Sequence, residues 1–249
     1  MNESVTPSNL PKRDYLLSVS ILVAAVLIAG SILYVLGGGR TALPGTANIG
    51  DIVPSTAAPS LESTDVILGN ADAPVTAFEF GDYQCPYCAN FFIQNEQKLR
   101  DAYIQTGKVN MVYRNFAFLG QESFDAAAAS ECAKDQKQFW AYHDALYRAE
   151  YADEQANPQN FENNGNLNRD LFIKLADQLK LDHATFVECI DSKKHAPTVT
   201  KEVDAARALG VNSTPTFYVN KDQVRGALYE DDSTFGKGLK SVIESNLGQ

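Results

Sequence analysis

The chain has 249 residues, 45% hydrophobic and 21% charged, enough for one fair-sized domain with appendages or two small domains. Its formal net charge is −10, from 31 acidic against 21 basic residues, and no Lys/Arg-rich block interrupts the mixture. Such a surface repels a polyanion, so nucleic-acid binding is set aside.

From Tyr15 to Gly39 (YLLSVSILVAAVLIAGSILYVLGGG) the chain carries no charge. A helix over this run, rising about 1.5 Å per residue, reaches roughly 37 Å and exceeds a hydrocarbon core of about 30 Å. Cleaved signal peptides have apolar regions of only about 7–15 residues. Residues 15–39 are therefore expected to be a retained transmembrane anchor. Lys12 and Arg13 precede the run and only Arg40 follows it closely. This bias puts residues 1–14 in the cytoplasm and everything after Arg40 outside. Residues 40–63, rich in Ala, Pro, Ser, Thr and Gly without hydrophobic periodicity, read as a flexible tether. The folded part is expected over 64–249.

That part opens with a short strand candidate at Asp65–Leu68 and a stronger one at Val75–Phe80 (VTAFEF). A helix is expected from Pro86 to Gly107, with Phe91, Phe92, Leu99 and Tyr103 on its apolar side. VNMVYRNF, Val109–Phe116, is β-branched and aromatic and reads as a strand. Helices follow at Ser123–Glu150, Arg169–Leu179, Ala184–Ser192 and Ala196–Leu209, the last closed by Gly210. A polar Asn/Gly loop, Asn157–Asn168, interrupts them. Thr216–Val219 and Gln223–Ala227 form a hairpin pattern around Asn220–Asp222, and a helix over Ser233–Leu247 ends the chain. This order implies an α/β fold, one mixed sheet carrying a helical subdomain over about 120–205.

Cys85-Pro-Tyr-Cys88 follows directly on a strand and opens a helix. Unpaired N–H groups at a helix start favour a thiolate on Cys85, a good nucleophile and leaving group. The three-residue spacing lets Cys88 resolve a mixed disulfide. Half a zinc site looks the same, but Cys132 and Cys189 are single, distant cysteines and His143, His183 and His195 form no ligand motif. Neither a metal nor a cofactor is expected. Glu79, six residues before Cys85 at the end of an apolar strand, is placed to relay protons to the resolving thiol; pairing with a lysine is the alternative. Pro215 stands just before a strand, where a cis bond is a common use of proline. Tyr87 offers an aromatic face beside the cysteines or is an incidental surface residue. His143 and Trp140 read as packing residues.

Taken together, DAPVTAFEFGDYQCPYC, VNMVYRNF, SECAKDQKQFWAYHDALY and ALGVNSTPTFYVN resemble the DsbA-like thiol–disulfide oxidoreductases, in particular their membrane-tethered bacterial branch, over residues 63–249. The resemblance implies a thioredoxin fold with an inserted helical domain, preceded by the single N-terminal transmembrane helix. It implies Cys85 as nucleophile, Cys88 as resolving thiol and Glu79 as buried acid. It further implies a cis Thr214–Pro215 bond facing Cys85, with the Thr214 backbone pairing with a bound substrate. The strongly oxidising members carry Pro-His between the cysteines, whereas this chain has Pro-Tyr, so its oxidising strength is open. The implied partners are exported proteins with free thiols or disulfides and a membrane redox partner. That partner is a quinone-linked oxidase if the chain oxidises, or an electron donor if it works as an isomerase or reductase. A peptide-binding module with incidental thiols is a third reading. The short tether leaves no room for a dimerisation domain, so a monomer is expected. Cys132 and Cys189 both point into the helical subdomain by their helical faces and are expected to form a disulfide, the alternative being two buried thiols.

Overall fold

A computed structural model describes residues 53–54, 58–234 and 236–248. The expected anchor over 15–39, the N-terminal segment 1–14 and most of the tether lie outside the described residues. Among the described residues no helix is long and apolar enough to cross a membrane.

Among the described residues, five strands form the sheet. Two residues inside the expected tether, Val53–Pro54 (β1), make a short edge strand. The β-branched and aromatic runs give Val75–Gly81 (β2) and Val109–Asn115 (β3), in which every residue but Thr76 is buried. Thr216–Val219 (β4) and Asp222–Arg225 (β5) form the hairpin, turned at Asn220 with φ 54°. The order is β1-β5-β4-β2-β3. Only β2 and β3 are parallel, in register from Val75↔Val109 to Gly81↔Asn115; the remaining pairs are antiparallel. The strand expected at Asp65–Leu68 is reduced to one bridge, Leu68 to Met111.

Among the described residues, seven helical segments are interleaved with the strands along the chain. Helix α1 covers 86–104 and alternates α turns (Pro86–Phe91, Gln97–Leu99) with π turns (Phe92–Glu96, Arg100–Ile104). The wider turns keep residues four apart on one side, so Cys88, Phe92, Glu96 and Arg100 run along a single face. The single helix expected over Ser123–Glu150 is two, Gln121–Asp135 (α2) and Phe139–Ala156 (α3). The break is a Schellman closure: Lys137 N–H donates to Lys134 C=O at 2.8 Å and Gln138 N–H to Ala133 C=O at 3.0 Å, with Lys137 at φ 61°. Then come Arg169–Gln178 (α4), His183–Asp191 (α5) and Ala196–Ala208 (α6). Asn168 and Asp182 cap α4 and α5 by accepting from Leu171 N–H and Thr185 N–H. The last helix is shorter than expected, Leu239–Leu247 (α7).

The two faces of the sheet are buried separately. Ala77, Phe217 and Val219 pack with Phe91 and Leu99 of α1 and with Leu239, Val242 and Ile243 of α7. Phe78, Phe80, Val112 and Tyr218 pack with Val199, Val203 and Ala206 of α6. Helices α2 to α5 hold a third core around Tyr142, Leu146, Phe172 and Phe186. A Cys132–Cys189 disulfide joins α2 to α5 there, with Cα atoms 5.9 Å apart. That third core continues without interruption into Tyr83, Cys85, Cys88 and Phe92.

Candidate active site

The site begins where β2 ends. Burial of Asp82 at 1% exposure fixes the loop that follows, because its carboxylate accepts from Gln84 N–H at 2.9 Å, Phe118 N–H at 2.9 Å and Leu119 N–H at 3.1 Å. Even so, burial outweighs these donors and leaves the Asp82 pKa raised. Gln84 ties the loop to the helical insertion: its amide donates to Ser123 Oγ at 2.8 Å and accepts from Asn163 N–H at 2.6 Å. Cys85 then starts α1 with extended backbone, and Pro86 fills the first helical position, where no N–H is needed.

The two thiols are free but unequal. As a thiol, Cys85 donates to Thr214 C=O at 3.4 Å. As a thiolate it can only accept, first from the Cys88 S–H, and also from the Thr214 hydroxyl and the Cys88 backbone N–H. These donors outweigh burial and draw the Cys85 pKa down. The Thr214 hydroxyl makes no hydrogen bond beside the neutral thiol, so it is available for that ionised form. Cys88 has the opposite balance. It is 0% exposed, and burial, its bond to Cys85 and the nearby charges of Cys85 and Glu79 push its pKa well up.

Glu79 is 1% exposed, beside Tyr113 on β3 and Phe217 on β4. Its Oε2 has no hydrogen-bond partner, and no described ion pair joins it to a lysine. Burial, then the neighbouring Glu96 charge, hold its pKa well above the carboxylate range, with Arg100 opposing. The Thr214–Pro215 bond is cis, and Thr214 lies against Cys85. Thus Cys85, Cys88, Glu79, Thr214 and Pro215 converge, whereas Cys132 and Cys189 stand apart in the insertion. Tyr87, between the cysteines, is 61% exposed.

Sequence reasoning did not find Glu96, Arg100 and Asp144. Arg100 joins both carboxylates, through Nε to Glu96 Oε1 at 2.8 Å and NH1 to Asp144 Oδ2 at 2.9 Å. The one legible signal for Glu96 and Arg100 is the four-residue spacing Cys88–Phe92–Glu96–Arg100; Asp144 has none. His143 is indeed wholly buried, enclosed by Tyr83, Phe92, Tyr113, Phe139, Trp140 and Tyr147 at 4.7–6.4 Å between ring centres. Ligand atoms of Glu96, His143 and Asp144 lie within 4.8 Å of one another. The Arg100 guanidinium already supplies the cation those carboxylates need, so the group does not fit a metal ion. The Cys132–Cys189–His195 group has spent both sulfurs in the disulfide.

A parallel β2–α1–β3 unit closed by a hairpin and α7, with a helical insertion above the thiols, is the architecture of the DsbA-like thiol–disulfide oxidoreductases, a class of enzymes within the thioredoxin superfamily. The thioredoxin family profile matches residues 61–240, and the chain belongs to that family. It is 32% identical over 189 residues to a probable disulfide bond formation protein D of Bacillus anthracis, covering 74% of this chain and 79% of the relative. It is equally 32% identical over 192 residues to disulfide bond formation protein D of Bacillus subtilis, covering 76% and 79%. The crystal structure of oxidised BdbD from Bacillus subtilis matches at TM-score 0.63 and 28% identity, covering 82% of this chain and all of that one.

Proposed function

We propose that this enzyme forms disulfides in exported proteins by exchanging its own Cys85–Cys88 disulfide with their thiols. A substrate thiolate attacks the Cys85 sulfur; the Cys85–Cys88 bond breaks, and Cys88 leaves with the electron pair. A second substrate thiolate attacks the substrate sulfur of the mixed disulfide, and Cys85 leaves as a thiolate. The substrate loses two electrons and the enzyme gains them. The observation that carries this reading is the opposed acidity of the two thiols, Cys85 drawn down and Cys88 pushed up. A low-pKa Cys85 is the better leaving group when substrate departs and the stabler species when the enzyme is reduced. Thr214 and Pro215 present backbone to a substrate chain beside Cys85, and Glu79 exchanges a proton with Cys88.

Return to the oxidised state requires a membrane redox partner, here a quinone-linked oxidase. The enzyme works as a monomer without cofactor, held by the 15–39 anchor and the 40–63 tether with residues 64–249 outside the cytoplasm. Two features support that placement: relatives named for disulfide bond formation, and a second cysteine pair held as a disulfide within the helical insertion.

The equilibrium reduction potential of Cys85–Cys88 against glutathione tests the direction. Known pairs span about −120 to −270 mV, roughly 7 kcal/mol for two electrons. A value more oxidising than about −180 mV is expected. A value near −270 mV would overturn the oxidase reading in favour of an isomerase or reductase kept reduced by a membrane electron donor. Cys85→Ser is expected to abolish exchange; a variant that kept its activity would leave only a peptide-binding module.

A further inference from the structure

Proton movement to and from Cys88 poses a problem that the reactive pair does not solve. Each exchange makes or consumes a thiolate at a sulfur that is 0% exposed, and the acid beside it, Glu79, is 1% exposed. Glu79 holds a single transferable proton, and once Cys88 has taken it a charged carboxylate is left buried unless a route joins it to solvent.

Three buried polar atoms without a hydrogen-bond partner lie around that route: Glu79 Oε2, Glu96 Oε2 and His143 Nε2. Leaving a buried polar atom unpaired costs about 1–3 kcal/mol, and three together in a well-packed core call for an explanation. The groups form a sequence. Along the Cys88 face of α1 the apolar Phe92 separates the thiol from Glu96, so the charged side of that helix is reached through Glu79 on β2. Glu79 feels the Glu96 and Arg100 charges. Glu96 in turn has one carboxylate oxygen within 4.8 Å of a ring nitrogen of His143 and of a carboxylate oxygen of Asp144. His143 Nδ1 bonds Asp144 Oδ1 at 3.1 Å, which orients the ring and leaves Nε2 inside the aromatic enclosure. At the far end a cleft of about 160 Å³ is lined by Glu96, Arg100, Asp144 and Arg148, and Arg148 is 62% exposed.

We propose that Glu96 and His143 are relay residues that carry the proton of Cys88 between Glu79 and the cleft at Arg100, Asp144 and Arg148. Both are positioning residues: neither touches the reacting sulfurs, and both act through Glu79. When the Cys85–Cys88 bond breaks, Cys88 departs with the electron pair and takes the proton of the Glu79 carboxylic acid. The Glu79 carboxylate recovers a proton from Glu96, which is recharged through His143 or directly from the cleft. Re-oxidation runs the path backwards, the Cys88 proton passing to Glu79 before the sulfur attacks. The charges facing this path come from every packed element: Cys85, Cys88, Glu96 and Arg100 on α1, Tyr113 on β3, Tyr83 before α1, and His143, Asp144, Tyr147 and Arg148 on α3. Burial raises the pKa of Glu96 as it does that of Glu79, while the His143 and Arg100 charges oppose it, so both carboxyls hold a proton more firmly than an exposed acid does.

This inference rests on the exchange reading above, and one experiment separates the two. The full-length protein is trapped as a Cys85–glutathione mixed disulfide, and glutathione release by Cys88 is followed from pH 5 to 9 for the parent, Glu96→Gln, Glu96→Asp and His143→Gln. Iodoacetamide alkylation of Cys85 is measured in parallel on the reduced proteins. Glu96→Gln and His143→Gln are expected to slow release at least about tenfold near pH 6–7. Their rates should climb towards that of the parent by pH 9, where hydroxide in the cleft does the work of the missing acid–base group. Glu96→Asp, which keeps a carboxyl beside Arg100, should recover much of the rate, and Cys85 alkylation should stay within twofold. Release profiles that superimpose on the parent, or that fall by one constant factor at every pH, would overturn the relay. An unreactive Cys85 in the parent would instead sink the exchange reading.

Discussion

At the scale of single residues, the site contains a group that the fold would be more stable without. Glu79 is buried with an unpartnered oxygen, and its pKa is raised, chiefly by burial. Unfolded, it would release its proton near pH 4.3; folded, it holds that proton to higher pH. Between those two values the folded state binds more protons than the unfolded one, so stability falls as pH rises. Glu79→Gln is therefore expected to raise stability at pH 7 by about 1–3 kcal/mol, with the gain vanishing below pH 4.3. Urea unfolding at pH 4 and pH 7 measures both. The same variant should exchange disulfides more slowly, because an amide cannot deliver a proton to Cys88. A variant that gained no stability at pH 7 would mean that the carboxyl is satisfied in solution. Stability surrendered at one position in this way is common at reactive sites.

At the scale of elements, the break between α2 and α3 shows what the sequence does and does not disclose. Apolar residues at helical spacing run through Ser123–Glu150 almost without pause, and nothing in Asp135-Gln-Lys-Gln resembles a glycine or proline stop. The closure nevertheless forms, with Lys137 in the left-handed region at φ 61°, where a side chain costs about 1–2 kcal/mol. Lys137 is exposed, so Lys137→Gly is expected to stabilise the protein by about 0.5–1 kcal/mol, read as a higher urea midpoint at unchanged slope. A lower midpoint would show that the lysine makes compensating contacts. Other elements divide in the same way. The strands of β2 and β3 and the start of α1 at Pro86 were legible because β-branched runs and a strand–Cys–Pro junction are local signals. The edge strand β1 was not, since Val53–Pro54 pairs with β5, a contact about 170 residues away in sequence. Glu96 and His143 were hidden for a related reason: each is unremarkable on its own helix, and they meet only when α1 and α3 pack.

At the scale of the whole molecule, buried acids on several elements act together on stability. Besides Glu79, burial raises Glu150 on α3 to about 8, and burial with the neighbouring Glu131 charge raises Glu202 on α6 to about 7. Each folded carboxyl keeps its proton through a range where the unfolded one has lost it. Each therefore stabilises the fold fully only below about pH 4.3 and loses that contribution as pH rises towards its folded value. Asp144 works in the other sense. Although burial pushes it up, bonds from His143 and Arg100 hold it at about 2, so its contribution is present above about pH 4 and lost as pH falls towards 2. The two trends cross near pH 4, where maximum stability is expected. The net charge of −10 acts in the same direction on the alkaline side, because protonation relieves self-repulsion. A pKa difference of one unit is worth about 1.4 kcal/mol. Discounted for partial solvent access, Glu150 and Glu202 should together remove about 2–5 kcal/mol between pH 5 and pH 7, lowering Tm by roughly 5–15 °C. Scanning calorimetry from pH 3 to 9 reads the curve, and a Glu150→Gln, Glu202→Gln double variant should flatten its alkaline limb while leaving the acid limb in place. A parent protein most stable at pH 8 would show that these carboxyls are ionised and solvated in the folded state, and the same finding would remove the physical basis for Glu79 holding a proton beside Cys88.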